Sequence, residues 1–233
     1  MRHYRRVYDT YSSISGLDSP RPSKYKSLWQ NLGLHLQTVP PKEKVLDIGS
    51  GQGELLDLCR NLGVEAEGVD ISNELVQACN RRGLEVTLID NLQAFLRSRS
   101  NEYWLVSMID VLEHFTKAEA YEIVGLIRQH ALRPGGMLIL QVPNMQSPFA
   151  ALNLFHDLTH EWGYTEFSLR QLLLTLSFEK VDFYPQNYPL YGLNIIRHFL
   201  RVGLYALFRV LLLVDQPNRG RVLTPNLIAI AES

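Results

Sequence analysis

Cysteine is nearly absent: only Cys59 and Cys79 occur in 233 residues. That excludes a disulfide-stapled scaffold and fits a reducing, cytoplasmic compartment. Net charge is scarce too, a formal −1 at pH 7, so no global field favours nucleic acid as a partner. No uninterrupted apolar stretch reaches the about 18 residues of a membrane-crossing helix. Met1–Ser15 holds no apolar run suited to a secretory leader. Internal repeats and low-complexity tracts are also missing, which sets aside a repeat array. What is there is an ordinary globular balance, 46% hydrophobic and 20% charged. The length suits one full domain with an extra element rather than two independent cores.

From Lys44 onward short apolar runs alternate with longer helical ones. The pattern predicts strands over "KVLDIG" (44–49), "VEAEGVDIS" (64–72), "LEVTLID" (84–90), "WLVSMIDVLEH" (104–114) and "MLILQVPN" (137–144). Helices are expected over 53–63, 73–83, 91–99 and 117–132, with a turn at "RPGG" (133–136). Such alternation argues for a parallel sheet with helices on both faces. Beyond Asn144 the rhythm changes to a helix over 168–178, a sixth strand over 179–185 and a seventh over 222–232. The last two strands are separated by an insertion, 186–221, far longer than a hairpin needs. In its apolar part, 193–214, the only charged residues are Arg197, Arg201 and Arg209, with His198 alongside.

In an open parallel sheet, ligands sit beyond the carboxyl ends of the strands. The loop after strand one reads "DIGSGQGE", with Asp47 ahead of Gly49, Gly51 and Gly53. Its G-x-G-x-G spacing differs from the G-x-G-x-x-G that cradles a pyrophosphate in nicotinamide enzymes. Asp47 would be awkward beside phosphate but suits a ligand with an ammonium group, and the glycines would let backbone N–H groups approach that ligand closely. Asp70, at the end of strand two, can accept hydrogen bonds from ribose hydroxyls. Asp90, at the end of strand three, can reach an adenine amine. Each acid taken alone is equally suited to capping a helix; the case rests on their succession.

These motifs, "VLDIGSGQGE", "GVDIS", "LIDN", "IDVLEH" and "LRPGGMLILQVPN", resemble those of Rossmann-like S-adenosyl-L-methionine (SAM) methyltransferases. The resemblance implies an α/β, seven-stranded sandwich ending in an antiparallel strand, with SAM as cofactor. It places Gly49, Gly51 and Gly53 under the methionine part, Asp70 and Ile71 at the ribose, Asp90 and Asn91 by the adenine, and Ile109 and Asp110 beside the sulfonium. The later "VPNMQSP" and "FHDLTHEWGYTEFSLRQLLLTLSFEKVDFYP" are similar to methyltransferases of bacterial surface-polysaccharide (O-antigen type) biosynthesis. Here Leu158 and Ser177 stand where Pro and Gly are usual. The resemblance divides the chain into an amino-terminal helical cap, 1–40, and a methyltransferase domain, 41–233. Within the latter, 44–144 is the SAM-binding core, 145–185 the acceptor-site region and 186–221 the helical insertion. The motif of nucleobase amino-methyltransferases, [DN]-P-P-aromatic after strand four, is not present, so nucleic acid is not expected as acceptor.

A sugar hydroxyl is a poor nucleophile until it loses its proton. "HDLTHE" (156–161) supplies His160 as the expected general base, with Asp157 fixing its tautomer or gripping the acceptor, and His114 as a second base. No metal is assigned; His156 and His160, four apart beside two acids, are the pair a divalent cation would use. The expected activity is O-methylation of a glycan or lipid-linked saccharide. A quinone-type or other phenolic acceptor is the alternative enzyme reading, and a non-catalytic SAM-binding scaffold the alternative of another class. The arginine-bearing helix over 193–214 suits a membrane surface, a homodimer interface or packing over the sheet. In the first case this cytoplasmic enzyme would work at the inner face of the membrane.

Overall fold

The computed structural model describes residues 22–187, 193–215 and 221–233. Within them lie helix α1 (Pro22–Gln37), strand β1 (Lys44–Ile48), α2 (Glu54–Leu62), β2 (Glu65–Asp70), α3 (Asn73–Arg81), β3 (Val86–Leu88), α4 (Leu92–Arg97) and β4 (Tyr103–Ile109). A 3₁₀ turn (Leu112–His114) leads to α5 (Lys117–Leu126), which ends in a wider π turn (Ile127–Ala131), and then to β5 (Leu132–Pro143). Helices α6 (Ala150–Leu154) and α7 (Glu166–Thr175), β6 (Lys180–Pro185), α8 (Leu193–Asp215) and β7 (Asn226–Glu232) complete the set.

The seven strands form one sheet in the order β3-β2-β1-β4-β5-β7-β6. β7 runs antiparallel to both its neighbours, β5 and β6, while the remaining pairs are parallel. Alternate residues of the central strands feed opposite faces, as the two-residue period of a strand requires. Leu46, Val106, Met108 and Leu140 join leucines and isoleucines of α4, α5 and α7 on one face. Val45, Leu105, Ile139 and Ile228 meet α1 and α2 on the other. In α1, Leu28, Leu32 and Leu36 recur every fourth residue and are all buried, each contributing about 2 kcal/mol. The helix expected in the amino-terminal segment is thus part of the second layer; residues 1–21 lie outside the described ones.

Several expected boundaries shift. The fourth strand stops at Ile109, because Asp110 takes a left-handed conformation, φ 58°, and the chain turns there. "RPGG" lies inside β5: Tyr103 pairs with Leu132 and Leu105 with Met137, so the four residues bulge out of the ladder. The third and seventh strands are shorter than their sequences suggest, 86–88 and 226–232. Ser177, where the resemblance to polysaccharide-type methyltransferases leads one to expect Gly, has φ 64°, the region glycine adopts most readily.

Candidate active site

A cleft of about 830 Å³ opens at the carboxyl ends of β1 to β4. Asp70, Ile71, Asp90, Asn91, Ile109 and Asp110 line it together with Gly49 and Gly51. His114 closes one end, and Lys24 of α1 enters from the other layer.

The three glycines of the loop all have positive φ, 72°, 55° and 75°, but they face different things. A Cβ on Gly49 would stand 2.4 Å from Cγ2 of Val111, whereas one on Gly51 would meet nothing nearer than the Gly49 carbonyl at 4.0 Å. Gly53 faces inward, against Leu84 and Cys79, and does not line the cleft. The loop's N–H groups are taken up within the protein. Gly49 and Ser50 donate to the Val69 carbonyl, Gly53 to that of Ser50, and Gly51 to Oδ2 of Asp70 at 2.8 Å. The expectation that these N–H groups meet the ligand is therefore corrected; the loop offers it bare backbone at Gly51.

Asp70 accepts from Gly51 N–H through one oxygen and from Ser72 N–H, at 2.9 Å, through the other. Burial raises its carboxyl above the usual range, and the N–H groups of Ser72 and Gly51 oppose that rise. Asp47 lies one layer below the cleft, beside a void of about 10 Å³ that it shares with Lys24 and Glu54. Its Oδ1 accepts from Ser107 Oγ at 2.7 Å. Full burial pushes it up to about 7 against the pull of that hydrogen bond. Asp90 is exposed, and Oδ1 of Asn91 caps α4 by accepting from Ala94 N–H. Asp110 is aimed by its left-handed backbone and held by Gln141 Nε2, which donates to Oδ1 at 2.8 Å.

The residues expected to carry catalysis gather beyond β4, though not as foreseen. Glu161 and Trp162 N–H both donate to the Glu113 carbonyl, pinning the 156–161 segment to the 3₁₀ turn. His114 and His160 then stand edge to face with centroids 4.8 Å apart. Asp157 does not reach His160. It accepts from Thr159 through both N–H and Oγ1, and Thr159 Oγ1 accepts in turn from Nδ1 of His114 at 2.8 Å. The tautomer of His160 is set instead by the Leu154 carbonyl, 3.0 Å from its Nδ1. Both imidazoles thus carry their proton on Nδ1 and their lone pair on Nε2. Burial lowers His114 below the usual histidine range. Burial raises Asp157, but its hydrogen bonds from Thr159 outweigh that, leaving the carboxyl below its ordinary value.

Glu113 is 1% exposed, with Oε1 4.0 Å from Nε2 of His160. Its Oε2 is buried without a hydrogen-bond partner. Burial, with Asp110 adding to it, lifts this carboxyl well above the carboxylate range. From sequence Glu113 reads as a structural or cofactor-contacting residue, and Thr159 and Gln141 lie inside the quoted motifs without a role of their own. His156 is exposed and lies outside the cluster that Glu113, His114 and His160 form. Tyr164 is buried in the core.

Comparison with known proteins places this arrangement. The family described as "Methyltransferase domain" matches residues 18–182, and the chain belongs to it. It is a SAM-dependent methyltransferase, with SAM the expected cofactor. Among solved structures it is similar to a SAM-dependent methyltransferase from Archaeoglobus fulgidus, TM-score 0.68 at 20% identity, over 90% of this chain and 94% of that one. The methyltransferase chain of a Haloferax volcanii complex with the Trm112 methyltransferase activator gives 0.62 at 14% identity, over 97% and 96%. An O-methyltransferase family protein from Burkholderia thailandensis gives 0.56 at 14%, over 88% and 56%. At such identities the likeness is one of fold. No curated protein matches the chain. The residues present fit the cofactor: Gly51 leaves open the space a Cβ would fill, and the buried Asp70 carboxylate faces the cleft beside it.

Proposed function

We propose that the protein methylates a hydroxyl of a glycan or lipid-linked saccharide. SAM, when bound, supplies a methyl group already activated by its sulfonium. The chain's own residues then have two tasks: to hold donor and acceptor in line and to help the hydroxyl lose its proton. Asp70 and the Gly49–Gly51 backbone are assigned to the donor. Glu113, His114 and His160, at the end of β4, are assigned to the acceptor, with Asp157 acting through Thr159 on the orientation of His114.

The observation that carries this reading is a shared edge. β6 ends and β7 begins at the side of the sheet where β5 terminates, since Pro185 and Pro143 pair with Leu227 and Asn226. The insertion containing α8 therefore leaves and re-enters the sheet at the edge where the cleft opens. α8 exposes Ile196, Phe199, Leu200, Leu207, Leu211 and Val214 among others, and Arg197, Arg201 and Arg209 accompany them. Among the described residues no helix is long and apolar enough to cross a membrane, so a helix of this kind suits the plane of an anionic surface. A lipid-linked acceptor would be presented to the cleft from that surface.

The test is transfer of radiolabelled methyl from SAM to extracted polyprenyl-linked saccharides and, in parallel, to quinone-type phenols. Label that enters the lipid fraction and moves to water after mild acid release of the saccharide supports the reading. Label found only on phenols would overturn it in favour of the alternative acceptor, and SAM binding with no acceptor labelled would point to a scaffold.

A further inference from the structure

We propose that Glu113, His114 and His160 bind a single divalent cation of borderline softness, of the Zn²⁺ or Co²⁺ kind. One ligating atom from each of the three lies within 4.8 Å of the others, and among the described residues no other group of three histidine, cysteine or acidic side chains is so closely set. Two imidazoles and one carboxylate are a donor set for such ions rather than for Mg²⁺ or Ca²⁺, which take oxygen throughout. Bonds of about 2.0–2.2 Å would draw the three inward from their present spread.

Three independent features point the same way. A histidine ligand needs its second ring nitrogen held by an acceptor, which fixes tautomer and orientation. Both histidines meet that requirement: His160 Nδ1 faces the Leu154 carbonyl, and His114 Nδ1 faces Thr159, itself tied to Asp157. Glu113 is buried with Oε2 lacking any hydrogen-bond partner, a desolvated polar atom that a bound cation would satisfy. Finally, Asp110 and Asp157 add negative potential around the trio, which favours a cation there.

A nitrogen whose lone pair is in a coordinate bond takes up no proton, so at these atoms the cation replaces the general base rather than assisting it. The role given to it rests on the hydroxyl-transfer reading above, although its binding does not. Coordinated to the cation, the acceptor hydroxyl loses its proton to water more readily. Its oxygen then forms the new C–O bond as the methyl carbon's bond to sulfur breaks, the electron pair staying on sulfur.

The experiment uses the full-length, tag-free chain, stripped with chelator and dialysed. It is titrated calorimetrically with Zn²⁺, and its absorption with Co²⁺ is recorded. The expected result is one equivalent bound at micromolar Kd or tighter and visible Co²⁺ bands, both weakened at least 10-fold in Glu113→Gln and in His160→Gln. His156→Gln retains binding. Circular dichroism confirms that each variant is folded, and the half-buried His160 serves if the Glu113 variant is not. No uptake by the wild-type chain, or uptake that survives His160→Gln, overturns the proposal, as does loss on His156→Gln. Cation uptake without saccharide methylation would leave this site standing and defeat the acceptor reading alone.

Discussion

Gly51 and Asp70 are joined across the floor of the cleft: the N–H of one donates to Oδ2 of the other at 2.8 Å. The same carboxylate that faces the ligand thus fixes the backbone that must pass beneath it. Asp70→Asn keeps the size but offers one acceptor oxygen where two N–H groups need one each. We expect SAM affinity measured by calorimetry to fall by about 10- to 100-fold, the equivalent of roughly 1.4–2.7 kcal/mol. Unchanged affinity would remove Asp70 from the cofactor site.

Gly49 and Val111 make a second testable contact. Gly49→Ala introduces a Cβ at 2.4 Å from Val111 Cγ2 and at φ 72°, so the loop must move. The single variant should lose SAM binding and several degrees of Tm. Adding Val111→Ala relieves the clash but not the backbone strain of about 1 kcal/mol, so recovery should be partial. Full recovery, or none, would mean that the contact with Val111 is not what restricts this position.

Asp47 gives a pH dependence with a definite sign. In the unfolded chain such a group loses its proton near about 3.9; in the folded one burial holds it until about 7. Between those values the native state binds the extra proton, so this contribution is complete at low pH and is lost as pH rises through 7. Asp47→Asn cannot ionise yet still accepts from Ser107. Its stability relative to wild type should therefore increase with pH and level off above about pH 7, by on the order of 3 kcal/mol. Paired urea unfolding at about pH 5 and about pH 8 checks this, and an equal difference at both would contradict it.

Thr159 is a positioning residue between Asp157 and His114. Thr159→Val should lower kcat by roughly 10- to 100-fold while leaving the Kd for SAM in place. Thr159→Ser, which keeps the hydroxyl, should restore most of the rate. A serine variant as slow as the valine one would assign Thr159 to packing.

The arginines of α8 test the membrane reading. Each is expected to contribute about 1 kcal/mol at an anionic surface, so replacing Arg197, Arg201 and Arg209 with Gln should weaken vesicle binding by on the order of 100-fold. Flotation with anionic and with neutral vesicles measures it. Equal binding of the triple variant would leave a homodimer interface or packing over the sheet as the use of this helix.

Where sequence alone sufficed, a short-range rule was enough. Strand and helix alternation, the glycines after β1 and the acids at the strand ends are periodic or positional signals, and the fold they imply is the one observed. The site was legible as a list and not as a set of partners. Asp157 turned out to hold Thr159 because two residues' spacing lets it close a local turn, a geometry that competes with any reach toward His160. From sequence Glu113 reads only as a structural or cofactor-contacting residue, because burial, which makes it chemically unusual, is a property of the folded sheet and not of "VLEH". The side chain of Asp110 is likewise held by Gln141, a residue remote in sequence.

The place of β7 bears on how the chain reaches this state. Although last in sequence, it sits between β5 and β6 and pairs with both. Until residues 226–232 emerge from the ribosome, β5 has an open edge and β6 has no seat in the sheet. Between the completion of β5 and the arrival of β7 the nascent chain therefore carries an unpaired apolar strand, the condition under which edge-to-edge association is most rapid. A truncation ahead of Asn226 should accordingly yield aggregate rather than a smaller folded domain.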